Sequence, residues 1–235
     1  SMVTLYYMRR FVSFLIQLYG KQNATYAISQ EVVMFLRNVL ATMVAHLPED
    51  ANQPITFTAH SRRTFTDQMG RAGEQYRIAV YKGHSGEKVE LDAELFVKFL
   101  LMTRDYIDQS IAVNQREDGL FHAYNLVKFD KQSITITPLY EMLEGQVAVL
   151  SAQVLDEQQV DQLLTAMRQS ALYREDQRSY MLYPARVRKE FLEMNNLPQE
   201  ALSLPIIQRL LENTDTDILT CDCEGLVHFC ADFNN

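Results

Sequence analysis

The 235-residue chain has no tryptophan and only three cysteines, which fall between residues 221 and 230. An odd number of cysteines in one short stretch does not match a disulfide framework and suits a reducing compartment, so we expect a cytoplasmic protein. Tryptophan is the usual surface on which sugars stack, and its absence argues against a carbohydrate-processing enzyme.

Basic residues are also scarce relative to acidic ones. The 22 lysines and arginines face 30 aspartates and glutamates, and the resulting net charge of -8 repels phosphate backbones. The most apolar stretch near the start, residues 3–19, is interrupted by Arg9 and Arg10, and the chain has no run of about 18 uncharged apolar residues. We therefore expect neither a nucleic-acid partner nor a membrane partner.

Apolar residues at helical spacing are the main feature that the chain does have. In the first segment they recur at three- and four-residue steps and predict a helix that Gly20 ends: Leu5, Met8, Phe11, Leu15 and Leu18. The second predicted helix begins after Ser29 and is expected to lie antiparallel to the first. The remaining predicted helices follow a cap or an apolar stripe: from Asp92 to about Val113, from Asp156, over 184–194 and over 206–211.

Apolar alternation on both sides of a turn predicts short hairpins. The predicted hairpins join these segments: 76–81 with 88–91, 121–129 with 133–137, and the two sides of a turn at 224–225. Pro138 is expected at the first position of a helix that carries Glu141 and Glu144. Residues 55–75 fit extended and helical structure equally.

These elements predict a mainly α fold of the α+β type, with antiparallel helix pairs and a few small inserted β-hairpins. We expect a single mainly helical domain over residues 1–235, in which residues 215–235 form a terminal β-hairpin appendage.

Three stretches rich in polar and aromatic residues interrupt the apolar segments: 114–125, 141–144 and 173–183. Buried polar groups cost free energy unless they are paired, so such stretches build either a hydrogen-bond network or a ligand pocket. The sequence leaves both interpretations open.

The candidate catalytic residues are Asp118, His122, Glu141 and Glu144. Imidazole titrates nearest neutrality, and His122 shares one face of a predicted extended segment with Tyr124. Two carboxylates three positions apart on one helix can bind a cation, share a proton or flank a sugar. A structural histidine and a solvated pair of acids are the alternatives, so the sequence does not decide whether the protein is an enzyme.

The candidate ligand-binding residues are Tyr124, Asn125, Asp176, Arg178 and Tyr180. A guanidinium, a carboxylate and tyrosine rings suit a polyol, a carboxylate or another protein. The same groups equally suit a structural network that fastens helix ends.

The last hairpin offers an alternative reading as a zinc site. A two-residue turn at 224–225 would oppose Cys221 with His228 and bring four potential ligands to one face: Cys221, Cys223, His228 and Cys230. Alternate residues on a strand lie about 6 to 7 Å apart, which is wide for a tetrahedral site, and cysteine is often simply buried. We therefore predict no metal and no cofactor.

Four strings resemble segments of long, uncharacterised bacterial proteins: DGLFHAYN at 118–125, MLEGQVA at 142–148, DQRSYMLYP at 176–184 and DCEGLVHF at 222–229. The resemblance covers about residues 70–235 and brings no activity with it. It implies that the chain is excised from a larger protein.

The predicted function is a polar pocket that binds a small polar ligand, with a carbohydrate as one candidate. An enzymatic version would use two of the carboxylates about 5 to 9.5 Å apart across a sugar. The alternative is a non-catalytic interaction or assembly module of a larger bacterial protein, because twelve tyrosines and ten methionines can contact neighbouring domains or form a homo-oligomer.

Overall fold

The computed structural model describes residues 1–50, 52–184, 194–213 and 216–230. These residues contain eight α-helices and four two-stranded antiparallel sheets, which confirms the mainly α fold with small β insertions. The chain divides into two compact units, Ser1–Pro184 and Ala185–Asn235. None of the helices in the described residues combines the length and hydrophobicity needed to span a bilayer.

The core of the first unit forms where helix α1 (Met2–Tyr19) packs against two later helices, α4 (Ala93–Ala112) and α5 (Leu143–Ala152). As expected, α1 ends at Gly20 and Asp92 caps α4, where the Asp92 side chain accepts from the Glu94 N–H at 3.0 Å. The expected pairing of the first two helices is wrong, because α2 (Gln30–Ala45) packs chiefly on α3 (Ala59–Tyr81). The buried core residues include Tyr6, Val12, Leu100, Ile107, Ile111, Leu120, Val149 and Leu163.

Helix α3 settles the structure of the stretch that the sequence left open and corrects one predicted hairpin. Thr58 and Ser61 cap its start reciprocally, and the helix then continues through residues 76–81, which we had predicted to be a strand. Tyr76 packs its ring against Phe35 of α2 at 5.3 Å, a contact that the alternation of apolar residues alone does not reveal.

The strand predicted at 88–91 exists, but its partner lies far away in the sequence. Strand β2 (Lys88–Asp92) pairs antiparallel with β1 (Thr25–Ser29), with Thr25 opposite Asp92 and Ser29 opposite Lys88. The Gln30 N–H also donates to the Glu87 carbonyl at 3.1 Å and so joins the two ends of the segment that contains α2 and α3.

The second predicted hairpin is confirmed as β3 (Asn125–Phe129) paired with β4 (Ile134–Pro138). The helix expected to begin at Pro138 instead begins at Leu143, because Pro138 is the last residue of β4 and pairs with Asn125. Glu141 therefore precedes the helix that carries Glu144.

Two further elements complete the described part of the first unit. Helix α6 (Glu157–Gln169) follows Asp156 as predicted. Asp156 is its N-cap, and the side chains of Asp156 and Gln159 each accept from the other's backbone N–H. A short hairpin follows from β5 (Tyr173–Arg174) and β6 (Ser179–Tyr180).

The second unit contains two short helices, α7 (Gln199–Leu202) and α8 (Pro205–Glu212), and the terminal hairpin of β7 (Leu219–Cys221) and β8 (Val227–Phe229). The helix at 206–211 and the existence of the hairpin are confirmed. The predicted helix at 184–194 falls almost wholly outside the described residues.

The predicted register of the terminal hairpin is wrong. Cys221 lies opposite Val227, and His228 lies opposite Thr220. The reason is Asp222, whose side chain accepts from the N–H groups of Glu224 and Leu226 at 2.9 and 2.8 Å and so enlarges the turn. Gly225 completes that turn with a φ of 81°.

Candidate functional site

Arg116 gathers two of the predicted catalytic acids. Its guanidinium lies 2.7 Å from the Asp118 carboxylate and 3.5 Å from that of Glu141. The hydrogen bond from Arg116 is the main cause that lowers the pKa of Asp118, and the same bond raises the pKa of Arg116. The sequence reading missed Arg116 as a site residue, although it precedes the Asp118–Gly119 turn by only two positions.

A buried polar network lies beside this cluster and centres on the backbone carbonyl of His122. The Tyr6 hydroxyl donates to this carbonyl at 2.9 Å, and so does the Asn114 side-chain amide, also at 2.9 Å. Asn125 in turn donates to the Asn114 side-chain oxygen at 2.9 Å. Asn114 is only 6% exposed, and burial raises the pKa of Tyr6 to about 12. The Asn114 backbone carbonyl also accepts from the His122 N–H and so holds His122, a predicted site residue, in place.

The ring of His122 is held by a second backbone carbonyl. Its Nδ1 lies 3.1 Å from the Leu139 carbonyl oxygen, which can only accept, so the proton sits on Nδ1. Burial is the main cause that lowers the pKa of His122, and the nearby Arg116 charge lowers it further. In the neutral form of the ring, Nε2 therefore carries the lone pair.

His122, Asn114 and Asn125 line a cavity of about 590 Å³ in the first unit. Its other polar lining residues are Thr56, Arg62, Tyr106, Gln109 and Ser110, and its apolar ones are Met2, Leu5, Ile55, Phe57, Val113, Ile136 and Pro138. One wall is fixed by aromatic packing, because Phe65 stacks on Tyr106 with the ring centroids 5.4 Å apart and the Phe57 ring lies 5.0 Å from that of Phe65. The cavity thus combines a rigid apolar wall with a group of polar side chains.

Glu144, in the first turn of α5, interacts with the Tyr124 phenol apart from the Arg116 cluster. Burial is the largest cause that raises the pKa of Tyr124, and the charge of Glu144 and its hydrogen bond with the phenol raise it further. Neither residue lines the cavity that contains His122 and Asn125.

Asp176, Arg178 and Tyr180 lie on the β5–β6 hairpin and not at the cavity. Asp176 pairs with Arg174 at 2.6 Å, and Arg178 occupies the turn with a φ of 49°. The ring of Tyr180 packs against that of Tyr173 at 5.3 Å. Within the described residues, no ion pair joins Arg178 to Asp118, Glu141 or Glu144.

The four residues weighed for zinc are not brought together as the predicted register required. The three cysteines are free, and His228 lies with Nε2 3.1 Å from an Asp222 oxygen and Nδ1 2.7 Å from the Asn196 side-chain oxygen. The described part of the chain contains no group of three or more histidine, cysteine, aspartate or glutamate side chains that could hold a metal ion.

Comparison with models of known families gives a match at the end of the chain. Residues 188–235 match the model described as GH149 phosphorylase insertion domain 2. The matched residues all fall within the second compact unit, Ala185–Asn235, and cover a minor part of the chain. No curated protein matches the chain.

Proposed function

We propose that this chain is a non-catalytic accessory module of a larger carbohydrate-active protein, and that the cavity of its first unit binds a small polar ligand. The match of residues 188–235 to a phosphorylase insertion domain supports the first part, since an insertion domain belongs to a longer chain. The convergence of Asn114, His122 and Asn125 on one cavity carries the second part.

The composition of the cavity is that of a typical small-molecule site. Such sites have volumes of about 300 to 1,000 Å³ and mix an apolar lining with a few oriented polar groups. At about 590 Å³ this cavity lies within that range. Its polar groups are held by backbone carbonyls, so they are oriented before a ligand arrives.

The environment of the acids favours binding over proton transfer. A general acid at neutral pH needs a raised pKa, whereas the hydrogen bond from Arg116 lowers the pKa of Asp118. Glu141 shares the same guanidinium. We therefore assign Asp118 and Glu141 to holding the 116–121 turn beside the cavity.

A cavity-blocking variant tests ligand binding. Val113 lines the cavity and is 74% exposed, so Val113→Trp fills space near the opening without disturbing the core. Val147 is 49% exposed on α5 and lies away from the cavity, so Val147→Trp is the matched control. We expect titration calorimetry with monosaccharides and polyols to detect binding to the wild type and to Val147→Trp, and not to Val113→Trp. Equal binding by all three proteins would contradict the assignment.

The proposal that the chain is non-catalytic is tested by incubating the purified chain with oligosaccharides and inorganic phosphate. We expect no release of sugar phosphate over many hours. Turnover that survives purification and disappears in Asp118→Asn or Glu144→Gln would instead establish an enzyme.

A second candidate function, self-assembly, is favoured by an exposed apolar stripe on α1. It consists of five residues on one helix face, from 45% exposed at Leu18 to 59% at Phe11: Tyr7, Met8, Phe11, Phe14 and Leu18. Half-exposed large side chains contribute roughly 100 Å² each, so two copies would bury roughly 1,000 Å² in total, near the lower limit of a specific interface.

Sedimentation equilibrium tests a dimer through this stripe. We expect the wild type to dimerise at high micromolar concentration and the Phe11→Glu, Phe14→Glu double variant to remain monomeric. A monomeric wild type at these concentrations would rule out self-assembly through α1.

A further inference from the structure

The hydrogen-bond network fixes which way the two asparagine side chains at the cavity point. The His122 carbonyl can only accept, so the Asn114 group that faces it at 2.9 Å must be the amide nitrogen. The Asn114 oxygen then faces Asn125 and must accept from the Asn125 nitrogen at 2.9 Å. A carbonyl in the backbone thus determines the orientation of both amides.

This orientation leaves an acceptor without a donor. The Asn125 Oδ1 is buried and accepts no hydrogen bond from any of the described residues. Almost none of its surface is accessible, so a ligand in the cavity does not reach this oxygen, and the two asparagines form a fixed part of the cavity wall.

His122 supplies an acceptor that a ligand can reach. Because Nδ1 donates to the Leu139 carbonyl, Nε2 is the unprotonated nitrogen of the neutral ring. Among the described residues, none forms a hydrogen bond with Nε2. His122 therefore offers a free acceptor at the cavity.

The charges at the cavity favour a neutral ligand. Within the described part of the chain, its lining residues include no aspartate or glutamate, so an ammonium group would find no counter-charge. The charged residue among these described lining residues is Arg62, whose guanidinium donates to the backbone carbonyls of Ile134 at 2.9 Å and Phe57 at 3.2 Å. An anion would meet a cation already engaged by backbone carbonyls and the lone pair of His122 Nε2, which repels it.

From this arrangement we propose that the cavity takes a neutral polyhydroxylated ligand, such as a sugar or polyol, and that one of its hydroxyl groups donates to His122 Nε2. This inference rests on the proposed ligand-binding function and narrows it to one ligand class.

The test compares two histidines that are held in the same way. His122→Asn keeps a donor for the Leu139 carbonyl and removes the Nε2 acceptor. His60→Asn is the matched control, because the exposed His60 also uses Nδ1 toward a backbone carbonyl, that of Gln132 at 3.0 Å, and lies outside the cavity. The neutral probes are D-glucose, myo-inositol and glycerol, and the charged probes are inorganic phosphate and methylammonium.

We expect at least one neutral probe to bind, with roughly fivefold to tenfold weaker affinity in His122→Asn and unchanged affinity in His60→Asn, as one lost hydrogen bond predicts. The ¹⁵N resonance of His122 Nε2 should shift when that probe is added to the wild type, which reports on the acceptor independently of variant folding.

Three results would overturn the inference in distinguishable ways. Binding of phosphate or methylammonium without binding of any neutral probe would refute the ligand class and leave a ligand-binding cavity. Binding of no probe at all would refute the proposed cavity function as well. A neutral probe that leaves the Nε2 resonance and the His122→Asn affinity unchanged would show that His122 is not an acceptor for the ligand.

Discussion

Gln146 should be among the most sensitive polar positions in the first unit. It is fully buried on α5, where its side chain accepts from the Phe121 N–H at 2.8 Å and donates to the Phe121 carbonyl at 2.8 Å. One side chain thereby satisfies both backbone groups of a residue that is itself 3% exposed. Gln146→Leu preserves most of the volume and removes both hydrogen bonds.

The expected loss follows from these two bonds. Each buried backbone group left without a partner costs about 1–3 kcal/mol, so Gln146→Leu should destabilise the unit by about 2–6 kcal/mol. The Met142 carbonyl also accepts from the Gln146 side chain at 2.9 Å. Its loss adds little, because Met142 is the N-cap residue of α5 and an N-cap carbonyl already accepts the first intrahelical hydrogen bond. Against a typical stability of about 5–15 kcal/mol, such a loss brings the unit close to unfolding.

Urea denaturation followed by the helical circular dichroism signal measures this loss. Gln162→Leu is the control, since Gln162 is exposed on α6 and should change the free energy of unfolding by less than about 0.5 kcal/mol. The amide of Phe121 should also exchange with solvent faster in Gln146→Leu. If both variants unfold at the same urea concentration, the Phe121 groups have other partners and the reasoning fails.

Three further predictions concern other sites. Gly145→Ala should destabilise the unit by about 1–3 kcal/mol, because the new Cβ would lie 3.0–3.1 Å from Ala123. Gly70→Ala meets nothing within 4 Å and should stabilise α3 by about 0.5–1 kcal/mol. Thermal unfolding compares the two variants. The raised pKa of Tyr6 gives stability that is fully present below about pH 10 and is lost as the pH rises toward 12. Denaturation at pH 8 and pH 11 should therefore show a smaller alkaline loss of unfolding free energy in Tyr6→Phe than in the wild type. An equal loss in both proteins would contradict this prediction. The backbone and hydroxyl hydrogen bonds of Ser85 lower the pKa of Glu31 to about 2. This carboxylate therefore contributes stability above its ordinary pKa, and that stability is lost as the pH falls toward 2. Ser85→Ala should raise the Glu31 pKa measured by carbon NMR, and an unchanged value would contradict this account.

The helices with strong start signals were predictable from sequence. Asp92 and Asp156 both cap the helices predicted to follow them, because a side-chain acceptor at a helix start acts within a few residues. The strand predicted at 76–81 failed for the opposite reason. Its six residues alternate as a strand does, but a helix already under way from Thr58 continues through them and gains contacts with α2.

Strand β1 and the start of α5 depend on contacts that sequence patterns do not encode. The partner of Thr25–Ser29 lies beyond two intervening helices, so the apolar alternation had no local turn to mark it. Pro138 is as compatible with a strand end as with a helix start, and its pairing with Asn125 decides between them.

The candidate site was predictable in part. The density of polar and aromatic residues correctly drew attention to 114–125, and the cavity includes His122 and Asn125 from that stretch. The roles of Tyr6 and Gln146 were missed, because each acts on backbone groups more than twenty residues away. Gln146 did leave a signal, as a single amide within the apolar run of α5.

The pairing of β1 with β2 has a consequence for the order of folding. The two strands meet only after the chain has returned through residues 30–87, and closing so large a loop is entropically costly before any ladder contact forms. The α2–α3 helix pair, whose contacts are closer in sequence, shortens the effective loop once it has assembled. Refolding should therefore proceed with α2 and α3 packing together early and with β1 and β2 pairing late.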